Sequence, residues 1–173
     1  MAIKNTALGG TDWGAEGVDY EDLNDTFDAV NLRTFRRITS DSTPASTTNT
    51  SYVTLATLSI GAGVVKDHIE IKATYKGNWQ YLPSSNNGSY ANANILIGEA
   101  GSEVSKYCQI IARKAGAVQC SGAVLSDLNF YYEPTTDEKT NGFNIILQGS
   151  TPQEGGTPSG AGCAYIKCDI FGV

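Results

Sequence analysis

The chain has one histidine and many carboxylates, so acid–base catalysis is the first chemistry to consider. The histidine, His68, falls on the polar face of a predicted strand, and no G-x-S-x-G nucleophile motif accompanies it. Two carboxylates at a suitable separation could hydrolyse glycosides. The candidate carboxylates in the strand-rich region are Glu70, Glu99, Glu103, Asp127, Glu133, Asp137, Glu138, Glu154 and Asp169. Most lie in or beside predicted turns, where any protein of this type offers as many pairs, so we predict no enzymatic activity and no catalytic residue.

One loop could hold a hard metal ion. The segment TTDEKTNG, residues 135–142, gathers Asp137, Glu138 and Asn141, whose oxygens are of the kind that bind Ca²⁺. Their spacing matches no EF-hand pattern, which favours a solvated turn. We therefore predict neither a metal site nor a cofactor.

The four cysteines give no zinc pattern. They are Cys108, Cys120, Cys163 and Cys168, and no two of them form a CxxC pair. Buried free thiols are the simplest interpretation, and one or two disulfides stay open as an alternative. On one straight strand Cys163 and Cys168 would face opposite sides, because their positions differ by five, so they could not pair with each other.

Aromatic rings interleaved with amides indicate a possible carbohydrate site. The segment YKGNWQYLPSSNNGSYANAN, residues 75–94, places Trp79, Tyr81 and Tyr90 among Asn, Gln, Ser and Gly. Rings of this kind stack on the apolar face of a sugar while amides bind its hydroxyls. The alternative is that these rings fill the core or a subunit interface.

Composition restricts the partners. The 173 residues carry 12 basic and 18 acidic side chains, a net charge of −6, which argues against a nucleic-acid partner. The one basic cluster, Arg33, Arg36 and Arg37, follows a predicted acidic helix, where cations complement the helix dipole. No secretory signal and no apolar window of membrane-spanning length is present, so we expect a soluble protein without a membrane partner.

From residue 51 onwards, apolar residues recur with the period of two that is typical of half-buried strands. In HIEIKATY, for example, one face carries Ile69, Ile71, Ala73 and Tyr75. Eight or so such segments alternate with turn signals, and no helical pattern follows Phe35. This spacing predicts an all-β fold, an antiparallel and jelly-roll-like β-sandwich.

A polar stretch separates the predicted sandwich from the N-terminal segment. Residues 39–50, TSDSTPASTTNT, contain no large apolar side chain and read as a linker. We therefore predict three parts, which are an N-terminal anchoring loop and helix (1–38), the linker (39–50) and the β-sandwich domain (51–173).

The N-terminal segment has a helical period. Leu23, Phe27 and Val30 recur at i, i+4 and i+7 among acidic neighbours, and Asp19 suits the N-cap. A helix of about three turns is marginal alone in water, so it must dock on something. With Trp13, these three apolar residues are the predicted assembly anchors.

The stretch GGTDWGAEGVDYEDLNDTF, residues 9–27, resembles a segment near the N-terminus of many tail-fibre, spike and other structural proteins of tailed bacterial and archaeal viruses. In that family a GTDW turn leads through a G-x-x-L/V-x-x-x-D stretch to DLNDTF and a helix. The matching residues are Gly10, Thr11, Asp12, Trp13, Gly17, Val18, Asp22, Leu23, Asn24, Asp25, Thr26 and Phe27. The ending AYIKCDIFGV resembles the closing strand of such proteins less specifically.

The resemblance implies a non-enzymatic protein of a bacteriophage or archaeal virus, made in the host cytoplasm and located in the virion. Such proteins are usually homotrimers that dock on other virion proteins through the N-terminal segment, and their distal β-domain often binds a host-surface glycan. Two alternatives stay open. One is a decoration or coat protein of the capsid shell, and the other is a stand-alone carbohydrate-binding module.

Overall fold

The computed structural model describes residues 3–5, 11–13, 35–80, 89–114, 121–152 and 162–173. The chain divides into two compact units, Met1–Arg36 with Val173, and Arg37–Gly172. In the first, β1 (Ile3–Asn5) pairs antiparallel with β2 (Thr11–Trp13). This short ladder occupies part of the predicted loop. The predicted helix with Leu23, Phe27 and Val30 lies outside the described residues, and so does the side chain of Trp13.

The rest of the described chain is built from strands and one short helix. The strands are β3 (Arg36–Asp41), β4 (Ala45–Thr47), β5 (Val53–Ile60), β6 (Ile69–Gln80), β7 (Ser89–Gly98), β8 (Val104–Lys114), β9 (Ser121–Tyr132), β10 (Phe143–Ser150) and β11 (Gly162–Gly172). The helix, α1, spans Thr136–Asn141 between β9 and β10.

These strands form two sheets. One has the order β5-β10-β7-β8, and the other has the order β3-β11-β6-β9 with β4 also paired to β11. The pairs are nested along the sequence, β7 with β8, β6 with β9, β5 with β10 and β4 with β11, and each is antiparallel. A long hairpin rolled up in this way is a jelly roll. The prediction of an all-β antiparallel sandwich is therefore confirmed.

The inner faces of the two sheets form one core. The four residues predicted to share a face of β6 are all buried, which confirms the alternation read from HIEIKATY. Tyr75 and Tyr165 meet edge to face in this core, with ring centroids 6.1 Å apart. At one end the sheets approach so closely that a Cβ atom on Gly77 would lie 2.6 Å from the Cβ of Ala112. Only glycine fits β6 at that crossing.

The stretch predicted as a linker, residues 39–50, contains strands in the structure. Half of β3 and all of β4 lie within residues 39–50. A polar sequence can form strands here because these strands lie at the border of their sheet, where backbone pairing suffices and few side chains need burial. The hydroxyl of Tyr165 donates to the carbonyl oxygen of Asp41 at 2.7 Å, which ties β3 to the core.

The prediction that Cys163 and Cys168 face opposite sides is wrong. A β-bulge between Tyr165 and Lys167 shifts the alternation of β11 by one residue, so both thiols point into the core and both are free. Burial raises the pKa of Cys163 to about 11 and the pKa of Cys168 to about 12, and for Cys168 the nearby carboxylates of Asp169 and Asp41 add to the effect. Neither thiol is a nucleophile in the folded protein.

Thiol titration tests this arrangement. In a Cys120→Ser protein, we expect one equivalent to react rapidly with an aromatic disulfide reagent, because Cys108 is exposed, and two further equivalents to react only after unfolding in guanidinium. Adding Cys108→Ser should remove the rapid phase. Rapid reaction of all three thiols in the native state would contradict the burial of Cys163 and Cys168.

Candidate binding surface

The structure places the predicted glycan-binding residues only in part. Trp79 lies in β6 opposite Gly122 of β9, and Tyr90 lies in β7 opposite Arg113 of β8. Both positions are at the end of the sandwich where β6 and β7 are connected. Their side chains, and the whole of Tyr81, lie outside the described residues.

The histidine and the candidate carboxylates make separate contacts where the structure describes them. His68 immediately precedes β6, and its Nδ1 lies 2.9 Å from Oδ2 of Asp67. Glu70 is buried and pairs with Lys72 at 3.1 Å. Burial opposes ionisation of Glu70, but the hydrogen bonds from Asn129 and Lys72 outweigh it and lower its pKa. Within the described ranges, no three or more His, Cys, Asp or Glu side chains are arranged to hold a metal.

The segment predicted as a solvated turn, TTDEKTNG, is α1 with a capping box. Thr135 accepts from the backbone N–H of Glu138, and the Glu138 carboxylate accepts from the backbone N–H of Thr135 at 2.7 Å. Glu138 is also buried and accepts a 2.8 Å hydrogen bond from the hydroxyl of Tyr132. Asn141 instead donates to Glu99. The side chains of Glu138 and Asn141 therefore bond to different partners within the chain.

The outer surface of the sheet containing β5, β10, β7 and β8 is polar, and its groups bond to one another. Asn94 donates to Gln148 at 3.0 Å and accepts from Ser105. The hydroxyl of Tyr52 lies 3.0 Å from the sulfur of Cys108. Burial, and then the contact with Cys108, raise the pKa of Tyr52 to about 12. Amides and hydroxyls suit a sugar, but most of those described here already have partners within the chain.

A more distinctive feature is the side of the sandwich formed by β8 and β9. Both are terminal strands, one in each sheet, and the stacked rings of Tyr107 and Phe130, 5.1 Å apart, join them across the core. Of the eight large apolar side chains that are exposed in the described part of the chain, five belong to these strands. They are Val104, Ile110, Val124, Leu125 and Tyr131. We call this surface, β8 and β9 with these five residues, the β8–β9 side.

The two sides of the sandwich differ in how their edges are protected. On the opposite side, β5 has 8 residues, while β3 and β4 have 6 and 3 and are separated by Pro44. Short strands and proline are devices that keep sheet edges from pairing with another chain. The β8–β9 side has longer strands and no proline, since β8 has 11 residues and β9 has 12. Two bulges interrupt the pairing of β8 with β7, whereas β9 is regular along its whole length.

The sequence predicted strands at YCQIIARK and LSDLNFYYEP but not this surface. The low charge of β9 can be recognised in the sequence, since Asp127 is the one charged residue among its twelve. The sequence does not show that both strands lie at the ends of their sheets, because strand order depends on the pairing of distant segments. Charge content was the signal that could have drawn attention to β9.

Comparisons with known proteins add little. No protein-family model matches the sequence, and no curated protein matches it significantly. Among solved structures, "Structure of infectious bursal disease virus Gx strain" matches with 14% identity and a TM-score of 0.46 over 80% of this chain. "Crystal structure of infectious bursal disease virus VP2 subviral particle" matches with 14% identity and a TM-score of 0.45, also over 80%. This chain spans 31% and 32% of those two chains, and similarities of this degree are too low to carry an argument.

In the ranges that the structure describes, no helix is long and apolar enough to cross a membrane.

The hydrogen bond from the partly buried Tyr132 to the buried Glu138 should stabilise the end of the sandwich that carries α1. We expect Glu138→Gln to lower the free energy of unfolding by about 1–3 kcal/mol, because charge-assisted hydrogen bonds to a buried carboxylate are lost. Urea denaturation of Glu138→Gln, Tyr132→Phe and the double variant would measure the coupling. Asp137→Asn, an exposed change on the same helix, is the control. Additive losses would contradict a direct interaction.

Proposed function

We propose that this chain is a non-enzymatic structural protein of a virion and acts by assembling in several copies. The observation that carries the proposal is the β8–β9 side, with its two long open strand edges and its exposed apolar side chains. A sandwich with such a surface is suited to being covered by another protein. The resemblance of residues 9–27 to viral structural proteins supplies the setting in which this assembly would take place.

Within a virion, the proposed position is an appendage of tail-fibre or spike type. The N-terminal segment would anchor the protein to other virion proteins through Trp13, Leu23, Phe27 and Val30, and the sandwich would form the exposed body, most simply as a homotrimer. The resemblance in the N-terminal segment supports this position, since it comes from proteins of that kind.

A second candidate is a decoration or coat protein of the capsid shell. The jelly-roll pairing of the strands favours it, because this topology is common in viral capsid domains. The same topology also occurs in lectins, which keeps a stand-alone carbohydrate-binding module as a third candidate.

Electron microscopy of purified particles with a labelled antibody tests the proposal. We expect label at the tail or at discrete spikes, whereas label over the whole shell would favour the coat alternative. A protein absent from particles would overturn both.

Deletion of residues 1–34 tests the anchor. The deletion stops there because β3 begins at Arg36. We expect the truncated protein to keep its β-type circular dichroism and cooperative unfolding but to be lost from particles. If it is incorporated as well as the full chain, the anchor lies elsewhere.

The proposed glycan site can be tested separately. Trp79→Ala, Tyr81→Ala and Tyr90→Ala should each weaken binding to any glycan that the wild-type protein retains on an array, by about tenfold if a stacking ring is lost. Phe35→Ala, an exposed aromatic outside both the predicted glycan residues and the β8–β9 side, is the control. An array on which the wild-type protein binds nothing would remove the glycan claim and leave the structural role intact.

A further inference from the structure

We propose that the β8–β9 side is the contact between copies of this chain, with β8 of one copy lying antiparallel beside β9 of the next. This inference rests on the proposed function only in one respect, which is that several copies assemble. It adds which surface they use and which strands meet.

The first support is the open edge of β9. This strand pairs with β6 through an unbroken register from Ile69–Tyr132 to Gln80–Ser121, so one of its edges is fully used. Its other edge ends the sheet in the part of the chain that the structure describes. A long regular strand with one charge and no proline offers a row of backbone groups that another strand can pair with.

The second support is the exposed apolar area beside those edges. Leu125 is 68% exposed, Tyr131 65% and Ile110 52%. Leu125 and Tyr131 lie on β9, and Ile110 lies on β8, so together they border the open edges of both sheets. Covering them with a second protein surface would be favourable, at roughly 25 cal/mol for each Å² removed from water.

The third support is charge, and it identifies the occupant as a second copy. The sequence of β8 carries Lys106, Arg113 and Lys114 and is preceded by one acidic residue, Glu103, so it stays net positive with its flank. β9 carries Asp127 and no basic residue, and is followed by the exposed Glu133, so it is net negative. Contact of β8 with β8, or of β9 with β9, brings like charges together. Contact of β8 with β9 brings opposite charges together, so this side is complementary to itself.

Strand direction completes the geometry. Because β8 and β9 are consecutive strands at the same side, they run in opposite directions. A second copy related by rotation about an axis parallel to the strands would therefore place its β9 antiparallel to β8 of the first copy. Antiparallel pairing is also the arrangement of the strand pairs within each sandwich. The stacked rings of Tyr107 and Phe130 show that these two residues lie at the same height along the strand direction, so Lys106 lies at the height of Tyr131. Rotation about an axis parallel to the strands keeps these heights unchanged in the neighbouring copy. Lys106 of one copy would therefore lie within about two residues of Glu133 on the next.

Sedimentation equilibrium of the full-length protein tests this contact. We expect the wild type to be oligomeric, and Leu125→Glu and Ile110→Glu each to weaken association by about tenfold or more, because a charge would be buried against the neighbour. Both side chains are more than half exposed, so circular dichroism and unfolding should be unchanged. Val64→Glu, an exposed apolar residue in the β5–β6 connection, is the matched control and should associate like the wild type.

A charge exchange tests the pairing of the strands. Lys106→Glu and Glu133→Lys should each weaken association, and the double variant should recover most of the loss, because the same two side chains meet at every contact between copies. Lys106 also lies 5.4 Å above the ring of Tyr132 within its own chain, so unfolding measurements must accompany the comparison. Failure of the double variant to recover, with folding intact, would overturn the β8-to-β9 arrangement.

The remaining outcomes are equally decisive. A monomeric wild type, or variants at Leu125 and Ile110 that associate normally, would overturn the inference. Association that survives these variants but is lost on deletion of residues 1–34 would show that the N-terminal segment makes the contact. Detection of the protein in particles is a separate readout, so the inference can fail while the proposed virion role stands.

Discussion

The whole sandwich depends on the pairing of β11 with strands from the beginning of the domain. β11 lies between β6 on one side and β3 and β4 on the other, and Cys163 pairs with Thr47 across most of the chain length. Without β11, the sheet would lose its middle strand, and Tyr165, Cys168 and Ile170 would leave the core. Closing such a long loop has a high entropic cost, so this contact forms slowly relative to the hairpin of β7 and β8.

Several features of the fold could be predicted from the sequence because they depend on local patterns. The alternation of Ile69, Ile71, Ala73 and Tyr75 was sufficient to identify β6 and its buried face. Turn residues between apolar segments then predicted an antiparallel sandwich. These signals come from neighbouring residues along the chain, and distant contacts only reinforce them.

The features that were missed depend on contacts that local patterns do not contain. The bulge in β11 reverses the side on which Cys168 lies, and the sequence alone did not show where the alternation shifts. The polar residues of β3 and β4 become strands only because β11 offers them a free edge. α1 is too short for a periodicity argument, although its capping box, Thr135 with Glu138, was visible in the sequence. For the candidate site, the residues were present in the predicted strands, but their exposure follows from sheet order alone.

The unequal protection of the two sides has a consequence for how far assembly can proceed. A sheet that is open at both edges can add units without limit, and this is the route to fibrils. Here Pro44 and the short strands around it protect one sheet edge on one side of the sandwich, and the proposed contact uses the other side. A building block with a single adhesive side reaches saturation once a small closed ring or pair has formed. The position of one proline would therefore help to keep this protein a discrete oligomer and prevent it from growing into an aggregate.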